Sequence, residues 1–164
     1  GRAMKAQGQG GVIITTSSMS GLIGNFGQAN YGHAKAGFYG FTKIAAMELG
    51  RYGIRVHCVS PNAYIRMTNS LPGFQNITED MMSPEAMAPL VLYLASDLSK
   101  DYNGRVIGIH GGTTGTKAYE FKMSVSDGYF KKEGLQTVDD IANNIDKILL
   151  PQPDLDMMAV MKTD

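Results

Sequence analysis

Short apolar runs rich in β-branched residues alternate along this chain with longer stretches whose apolar positions recur every three or four residues. The first run, residues 11–16 (Gly-Val-Ile-Ile-Thr-Thr), is bounded by glycine and serine and predicts a strand buried on both faces, as in parallel sheets. A loop of small residues, 17–27, follows it. From about Gln28 to Arg51, Phe38, Phe41, Ile44, Ala45 and Leu49 fall at helical spacing, and Gly50 and Gly53 supply stop signals. Residues 54–60 predict a second buried strand closed by Pro61, and residues 105–110 a third, ended by Gly111-Gly112. Between these two strands, residues 66–82 follow neither period, and Pro72-Gly73 marks a turn there. Ser83-Pro84 then offers an N-cap and a first-turn proline for a helix running to about Leu94 or Ala95, with Pro89 early enough to kink it rather than break it. Residues 1–11 read as the end of a helix entering a turn.

Strand, helix, strand, helix, strand in this order implies parallel pairing with right-handed crossovers, an α/β fold with an open sheet. After residue 116 the pattern weakens. Thr137-x-x-Asp140 predicts a capping box for a helix that places Ile141, Ile145, Ile148 and Leu149 on one face and is stopped by Pro151 and Pro153. The expected organisation is therefore a sheet domain over residues 1–116 and a tail with one helix over residues 117–164.

Composition narrows the function classes. Fifteen basic side chains balance fifteen acidic ones, so no net field draws the chain to nucleic acid or to anionic lipid. One cysteine, Cys58, excludes an internal disulfide or a multi-cysteine metal site, and its apolar neighbours Val56 and Val59 mark it as a strand residue. No run approaches the ~18 apolar residues of a membrane span, and no basic-then-apolar leader is present, which predicts a cytoplasmic location. No metal is expected.

The chemistry concentrates in Tyr31-Gly32-His33-Ala34-Lys35. Positions i and i+4 share one helix face, so a phenol and an ammonium can point into the same cleft. A phenol titrates near 10, too high for proton transfer at neutral pH, and a neighbouring cation favours the phenolate. The spacing alone is weak: eight tyrosines and this lysine content give roughly half a match by chance, and Tyr39-x-x-x-Lys43 is a second one. An upstream serine separates the two. Ser18 lies thirteen residues before Tyr31, directly after the predicted strand that ends at Thr16.

Residues 11–21 (Gly-Val-Ile-Ile-Thr-Thr-Ser-Ser-Met-Ser-Gly), Gly27-Gln28-Ala29-Asn30-Tyr31-x-x-x-Lys35-Ala36-Gly37 and Gly53-Ile54-Arg55-Val56 together resemble the short-chain dehydrogenase/reductase family, collinearly and over about residues 8–112. The resemblance implies a Rossmann-like doubly wound parallel sheet, of which this chain carries the C-terminal half. It implies an oxidoreductase passing a hydride between NAD or NADP and an alcohol or ketone. It assigns Ser18 to the substrate oxygen, Tyr31 to general acid/base work, and Lys35 to the nicotinamide ribose and to lowering the tyrosine pKa. Ser20 and Gln28 join Ser18 and Tyr31 as substrate contacts. Pro61-Asn62-Ala63-Tyr64, with Thr68, stands where the family contacts the nicotinamide carboxamide, although Asn62 replaces the usual glycine and Arg66 falls where a threonine is commoner.

The Pro-Asn-Ala…Arg-Met-Thr form, with residues 24–31 and Ala88-Pro89-Leu90-Val91, is similar to the (3R)-hydroxyacyl-CoA dehydrogenase domains of peroxisomal multifunctional enzymes and their bacterial relatives. This implies a 3-hydroxyacyl-CoA or related thioester as substrate and a peroxisomal matrix location in a eukaryote. The helix over residues 28–51, with Gly32, Gly37 and Gly40, resembles the one with which family members form homo-oligomers. Residues 66–82 are the expected substrate lid. His33 reads as a surface or interface residue, Asn76-Ile77-Thr78 as an unused glycosylation sequon, and Gly111-Gly112 with Gly115 as a turn.

The family's glycine-rich pyrophosphate turn and its catalytic asparagine have no counterpart in residues 1–17. The expectation is that residues 1–164 alone show no turnover and need a complementary N-terminal half, whether in the same chain or a separate one. The alternative from another class is a non-catalytic partner that stabilises an oligomer or binds an acyl group; an intact Ser18, Tyr31 and Lys35 weighs against it.

Overall fold

The computed structural model describes residues 1–66 and 76–150. Gly1–Phe121 form one compact unit, and the described residues 122–150 belong to a second. In the first unit the chain runs α1 (Arg2–Gln7), β1 (Gly11–Thr16), α2 (Met19–Leu22), α3 (Ala29–Gly50), β2 (Ile54–Asn62), α4 (Ala88–Ala95), β3 (Val106–Gly112) and β4 (Gly115–Glu120). The strands form one sheet in the order β1-β2-β3-β4. β1 pairs with β2 and β2 with β3 in parallel, in register Thr16↔Val59 and Pro61↔Ile109. The carboxyl ends at Thr16, Asn62 and Gly112 therefore lie on one side, where open α/β sheets bind ligands.

Three expectations shift. β2 runs on through Pro61 to Asn62, since a proline at a strand's end forfeits little of the ladder. The expected small-residue loop contains one helical turn, α2, because the Ser18 side chain caps it. A fourth strand, β4, folds back antiparallel on β3 and carries the sheet unit past the boundary expected at residue 116. Its Thr-Lys-Ala-Tyr stretch has too little alternation to show on the sequence.

The core lies between α3 and the sheet. Thr42, Ala45, Ala46 and Leu49, at steps of three, one and three, face Ile54 and Val56 of β2, with Ile13 and Met4 packed alongside. Each fully buried aliphatic here contributes about 2 kcal/mol. Thr42 is buried among them and shares a 3.2 Å hydrogen bond with Thr15 of β1. Phe41, Ile44 and Met47 lie on the other face of α3 and are 49%, 59% and 82% exposed. The helix is thus apolar on two sides, which explains why its periodicity was strong but did not single out the buried face.

On the opposite face of β2, the Arg55 guanidinium donates to the carbonyls of Leu94 (3.3 Å) and Ser96 (3.0 Å) and to the Ser99 hydroxyl, placing a cation at the C-terminus of α4. The expected helix from Ser83 divides in two: a 3-10 turn, Pro84–Met87, leads into α4, with Pro89 in its first turn.

In the second unit, α5 (Val138–Asn143) and α6 (Ile145–Ile148) replace the single predicted helix, parted at Asn144. The Thr137/Asp140 capping box is present as predicted. Pro151 and Pro153 lie outside the described residues.

Candidate active site

The site begins where β1 ends. The Ser17 amide donates to the Val59 carbonyl (2.8 Å), prolonging the strand pairing by one residue. Ser18 then turns the chain as N-cap of α2, its Oγ accepting from the Ser20 amide at 3.3 Å. This turn lies hard against α3. A Cβ on Gly21 would sit 2.6 Å from both the Ala36 nitrogen and the Lys35 carbonyl carbon, so only glycine fits. Gly32 makes a similar approach to the Ser20 carbonyl.

Lys35 is bound to the end of β1 through both its main chain and its side chain. The Ser17 hydroxyl donates to the Lys35 carbonyl at 2.7 Å, and the Lys35 ammonium donates to the Thr16 carbonyl at 3.0 Å. That ammonium lies 5.7 Å from the Tyr31 ring centroid and 5.5 Å from that of Phe38. An ammonium has three donors, so two remain for a ligand. Tyr31 sits one turn before Lys35 near the start of α3, its amide accepted by the Asn30 side chain at 2.8 Å. Tyr31 is 44% exposed, and its hydroxyl bonds to none of the described residues.

The second Tyr-x-x-x-Lys match does different work. The Lys43 ammonium donates to the Gly104 carbonyl at 2.7 Å, just before β3 begins. It therefore ties α3 to the amino end of the sheet, away from the strand ends that hold Ser18.

Ser20 and Gln28 meet directly, the Ser20 hydroxyl donating to Gln28 Oε1 at 2.5 Å, with Asn25 donating to the same oxygen at 3.1 Å. They line a cleft of about 380 Å³ with Leu22, Asn25, His33 and Ala36. The structure thus joins α2 to the first turn of α3 through these two residues, and places His33 at the rim of the same cleft. Pro61 and Asn62 end β2 on the same side of the sheet as Ser18. The Asn62 amide donates to Met19 Sδ at 3.7 Å, and the Tyr64 amide donates to the Met82 carbonyl at 2.7 Å. Thr68 and most of the expected lid lie outside the described residues. The described part of that segment is anchored at its far end, where the Thr113 amide donates to the Asp80 carbonyl at 2.9 Å.

Two residues at this site carried no signal in the sequence. Met19, next to Ser18, is only 4% exposed. The Tyr119 hydroxyl reaches it from β4, 100 residues along the chain, at 3.4 Å from Sδ.

Residues 1–114 match the family model described as Enoyl-(Acyl carrier protein) reductase. The chain is 39% identical over 115 residues to the peroxisomal hydratase-dehydrogenase-epimerase of Saccharomyces cerevisiae, covering 67% of this chain and 13% of that protein. It is 40% identical over 119 residues to the (3R)-3-hydroxyacyl-CoA dehydrogenase of Homo sapiens, covering 68% and 46%. The fold is similar to a short chain dehydrogenase from Mycobacterium avium (TM-score 0.71, 33% identity, covering 93% of this chain and 51% of that one). It is also similar to full-length peroxisomal multifunctional enzyme type 2 from Drosophila melanogaster (TM-score 0.67, 29% identity, 90% and 26%). A 4-hydroxyisoleucine dehydrogenase complexed with NADH and succinate matches 69% of this chain and 49% of that one (TM-score 0.54, 30% identity).

The chain belongs to the short-chain dehydrogenase/reductase family. It spans less than half the length of these curated relatives.

Proposed function

We propose that Ser18, Tyr31 and Lys35 are the acid/base machinery of a nicotinamide-dependent oxidoreductase acting on a 3-hydroxyacyl or 3-oxoacyl thioester. The observation that carries this reading is the double attachment of Lys35 to the end of β1, which holds an ammonium with free donors between Tyr31 and the Ser18 turn. The donor set fits a nicotinamide nucleotide: two unused ammonium N–H groups suit a ribose diol, and Pro61, Asn62 and Tyr64 lie at the neighbouring strand end. A bound nicotinamide, NAD or NADP, supplies the hydride acceptor or donor. In oxidation, Tyr31 takes the hydroxyl proton of the substrate on its phenolic oxygen as the carbonyl forms. Ser18 donates a hydrogen bond to the substrate's forming carbonyl oxygen and steadies it. In reduction each step reverses, and Tyr31 returns the proton. Ser20 and Gln28 border the acyl group from the adjacent cleft.

The second unit favours an acyl-CoA over an acyl carrier protein. The Drosophila multifunctional enzyme covers 90% of this chain, more than the 121 residues of the sheet unit can supply, so its likeness extends into the second unit. The 4-hydroxyisoleucine dehydrogenase matches only 69%. The same kinship supports a peroxisomal matrix location, and among the described residues no helix is long and apolar enough to cross a membrane. Phe41, Ile44 and Met47 on the outer face of α3 support a homo-oligomer formed through that helix.

Tyr31→Phe in the full-length protein tests the reading by the absorbance of the reduced nicotinamide at 3-hydroxyacyl-CoA saturation. A fall in kcat of at least ~10²-fold is expected. Activity surviving the change would assign the proton to another group.

A further inference from the structure

The most unusual contact near the site comes from an element the family model does not reach. β4 begins at Gly115, beyond the match over residues 1–114. Its Tyr119 pairs with Gly108 of β3 and lies across it, so closely that a Cβ on Gly108 would meet the phenol ring at 2.5 Å. His110, with ring centroid 5.6 Å away, and Phe121, at 5.3 Å, flank the ring on either side along its path. The ring is therefore held in one direction, and its hydroxyl ends 3.4 Å from Met19 Sδ. Burial pushes the Tyr119 phenol up from its ordinary value, so it remains a donor throughout the neutral range. The same sulfur receives the Asn62 amide at 3.7 Å.

Met19 is the first residue of α2, and Ser18 is the cap of that helix. The thioether is a weak acceptor on a flexible side chain, and such a chain packs in one way only when something fixes it. Here two donors fix it, one from the end of β2 and one from β4. The turn bearing the Ser18 hydroxyl thus has three supports: Gly21 against α3, Asn62 at β2 and Tyr119 at β4.

We infer that Tyr119 is a positioning residue, which acts together with Asn62 through the Met19 sulfur to hold the Ser18 turn in its working geometry. The inference rests on the reading of Ser18 as the group that binds the substrate oxygen. It gives β4 a role beyond covering the edge of β3: the strand supplies a hydroxyl to the Ser18 turn from beyond the residues that the family model matches.

The test uses the full-length protein with Tyr119→Phe, which removes only the hydroxyl, with Met19→Leu, which keeps the volume but removes the sulfur, and with both together. Each single change is expected to lower kcat about fivefold, the value of one modest hydrogen bond, with the KM for the nicotinamide and the thermal midpoint unchanged. The double variant is expected to be no slower than Met19→Leu alone, because that change already removes the Tyr119 contact. Amide exchange over residues 18–23, followed by mass spectrometry on the protein without cofactor, is expected to quicken in all three. Wild-type kcat and exchange in Tyr119→Phe would overturn the inference, as would losses that multiply in the double variant. Ser18→Ala in the same assay separates the two readings. If Ser18→Ala keeps full activity, the catalytic reading fails, while the exchange measurement still decides whether Tyr119 holds the turn.

Discussion

The Lys35 ammonium and the Thr16 carbonyl, 3.0 Å apart, join the second turn of α3 to the carboxyl end of β1. Lys43, two turns further along the same helix, makes the equivalent bond to Gly104 at the other end of the sheet. Two lysines of one motif type therefore tie α3 to opposite ends of the sheet, and only one of them stands among the residues of the candidate site.

The two positions should part cleanly on mutation. Lys35→Met is expected to abolish turnover, by ~10²-fold or more, because it removes the ribose donors and the cation beside Tyr31 together. Lys43→Met is expected to cost about 1 kcal/mol of stability, the usual value of a single part-buried hydrogen bond, and to leave kcat unchanged. Urea denaturation and steady-state kinetics on both variants check this. Equal kinetic losses would mean that Lys43 also serves the site.

Gly21 gives a steric prediction. Alanine there would place its Cβ 2.6 Å from backbone atoms of Lys35 and Ala36, which cannot move as a flexible side chain could. The α2 turn must back away from α3, at a cost of roughly 1–3 kcal/mol. Since the α2 turn that Ser18 caps rests on the Lys35 backbone through this contact, kcat should fall with stability. Gly24→Ala, where nothing lies near the new Cβ but φ is +98°, should cost stability through backbone strain and leave α2 against α3. Thermal melts read alongside kcat distinguish the two.

The strands β1 to β3 and the helix α3 were legible in the sequence because each is a run of one period bounded by glycine, serine or proline. Ser18, Tyr31 and Lys35 stand out as candidates in the sequence because a motif, its spacing and the strand order agree, and the fold brings Tyr31 and Lys35 to the end of β1 that Ser18 follows. What escaped has a common physical origin. β4 is mostly exposed, so its residues carry no apolar alternation, and antiparallel pairing with β3 rather than burial defines it. Met19 and Tyr119 touch only after the sheet has brought residues 100 apart together, a relation with no local signature. The buried face of α3 was hidden by small residues, Ala45 and Ala46, which allow the close packing that larger exposed ones such as Phe41 merely suggested.

His57 predicts acid sensitivity. The ring is fully buried beside Arg55 and Arg105, neither ring nitrogen has a partner at hydrogen-bonding geometry, and Ser60 nearby on β2 is likewise unsatisfied. Burial, reinforced by the two guanidinium charges and opposed weakly by the Tyr102 backbone, lowers its pKa from 6.5 to about 4. The folded protein thus holds His57 neutral where the unfolded chain would bind a proton. Stability should be constant above pH 6.5 and fall as the pH drops from there towards 4, by up to roughly 3 kcal/mol from this group. Urea midpoints at pH 7.5 and pH 5 measure the slope. Replacement by a neutral residue, His57→Asn, should flatten it, whatever the change does to stability at neutral pH.

The capping box of the second unit predicts acid behaviour at lower pH. Asp140 Oδ2 accepts from the Lys131 ammonium at 2.6 Å and from the Thr137 amide at 2.8 Å, and the Thr137 hydroxyl accepts from the Asp140 amide at 3.2 Å. The Lys131 hydrogen bond, aided by the two from Thr137, holds the carboxyl down at about 2, below its ordinary 3.8. The contribution of the ionised carboxylate is therefore complete above about pH 4 and disappears as the pH falls through 2. Amide exchange over residues 138–143 is expected to be steady from pH 7 to 4, once corrected for intrinsic rates, and to lose protection below that. Thr137→Ala should remove about 1 kcal/mol of local protection already at neutral pH, since it takes away the N-cap itself. Lys131→Met should spare the cap and raise the pH at which protection is lost, because Asp140 then titrates nearer its ordinary value. An unchanged acid limb in Lys131→Met would show that Thr137 alone holds the carboxylate ionised.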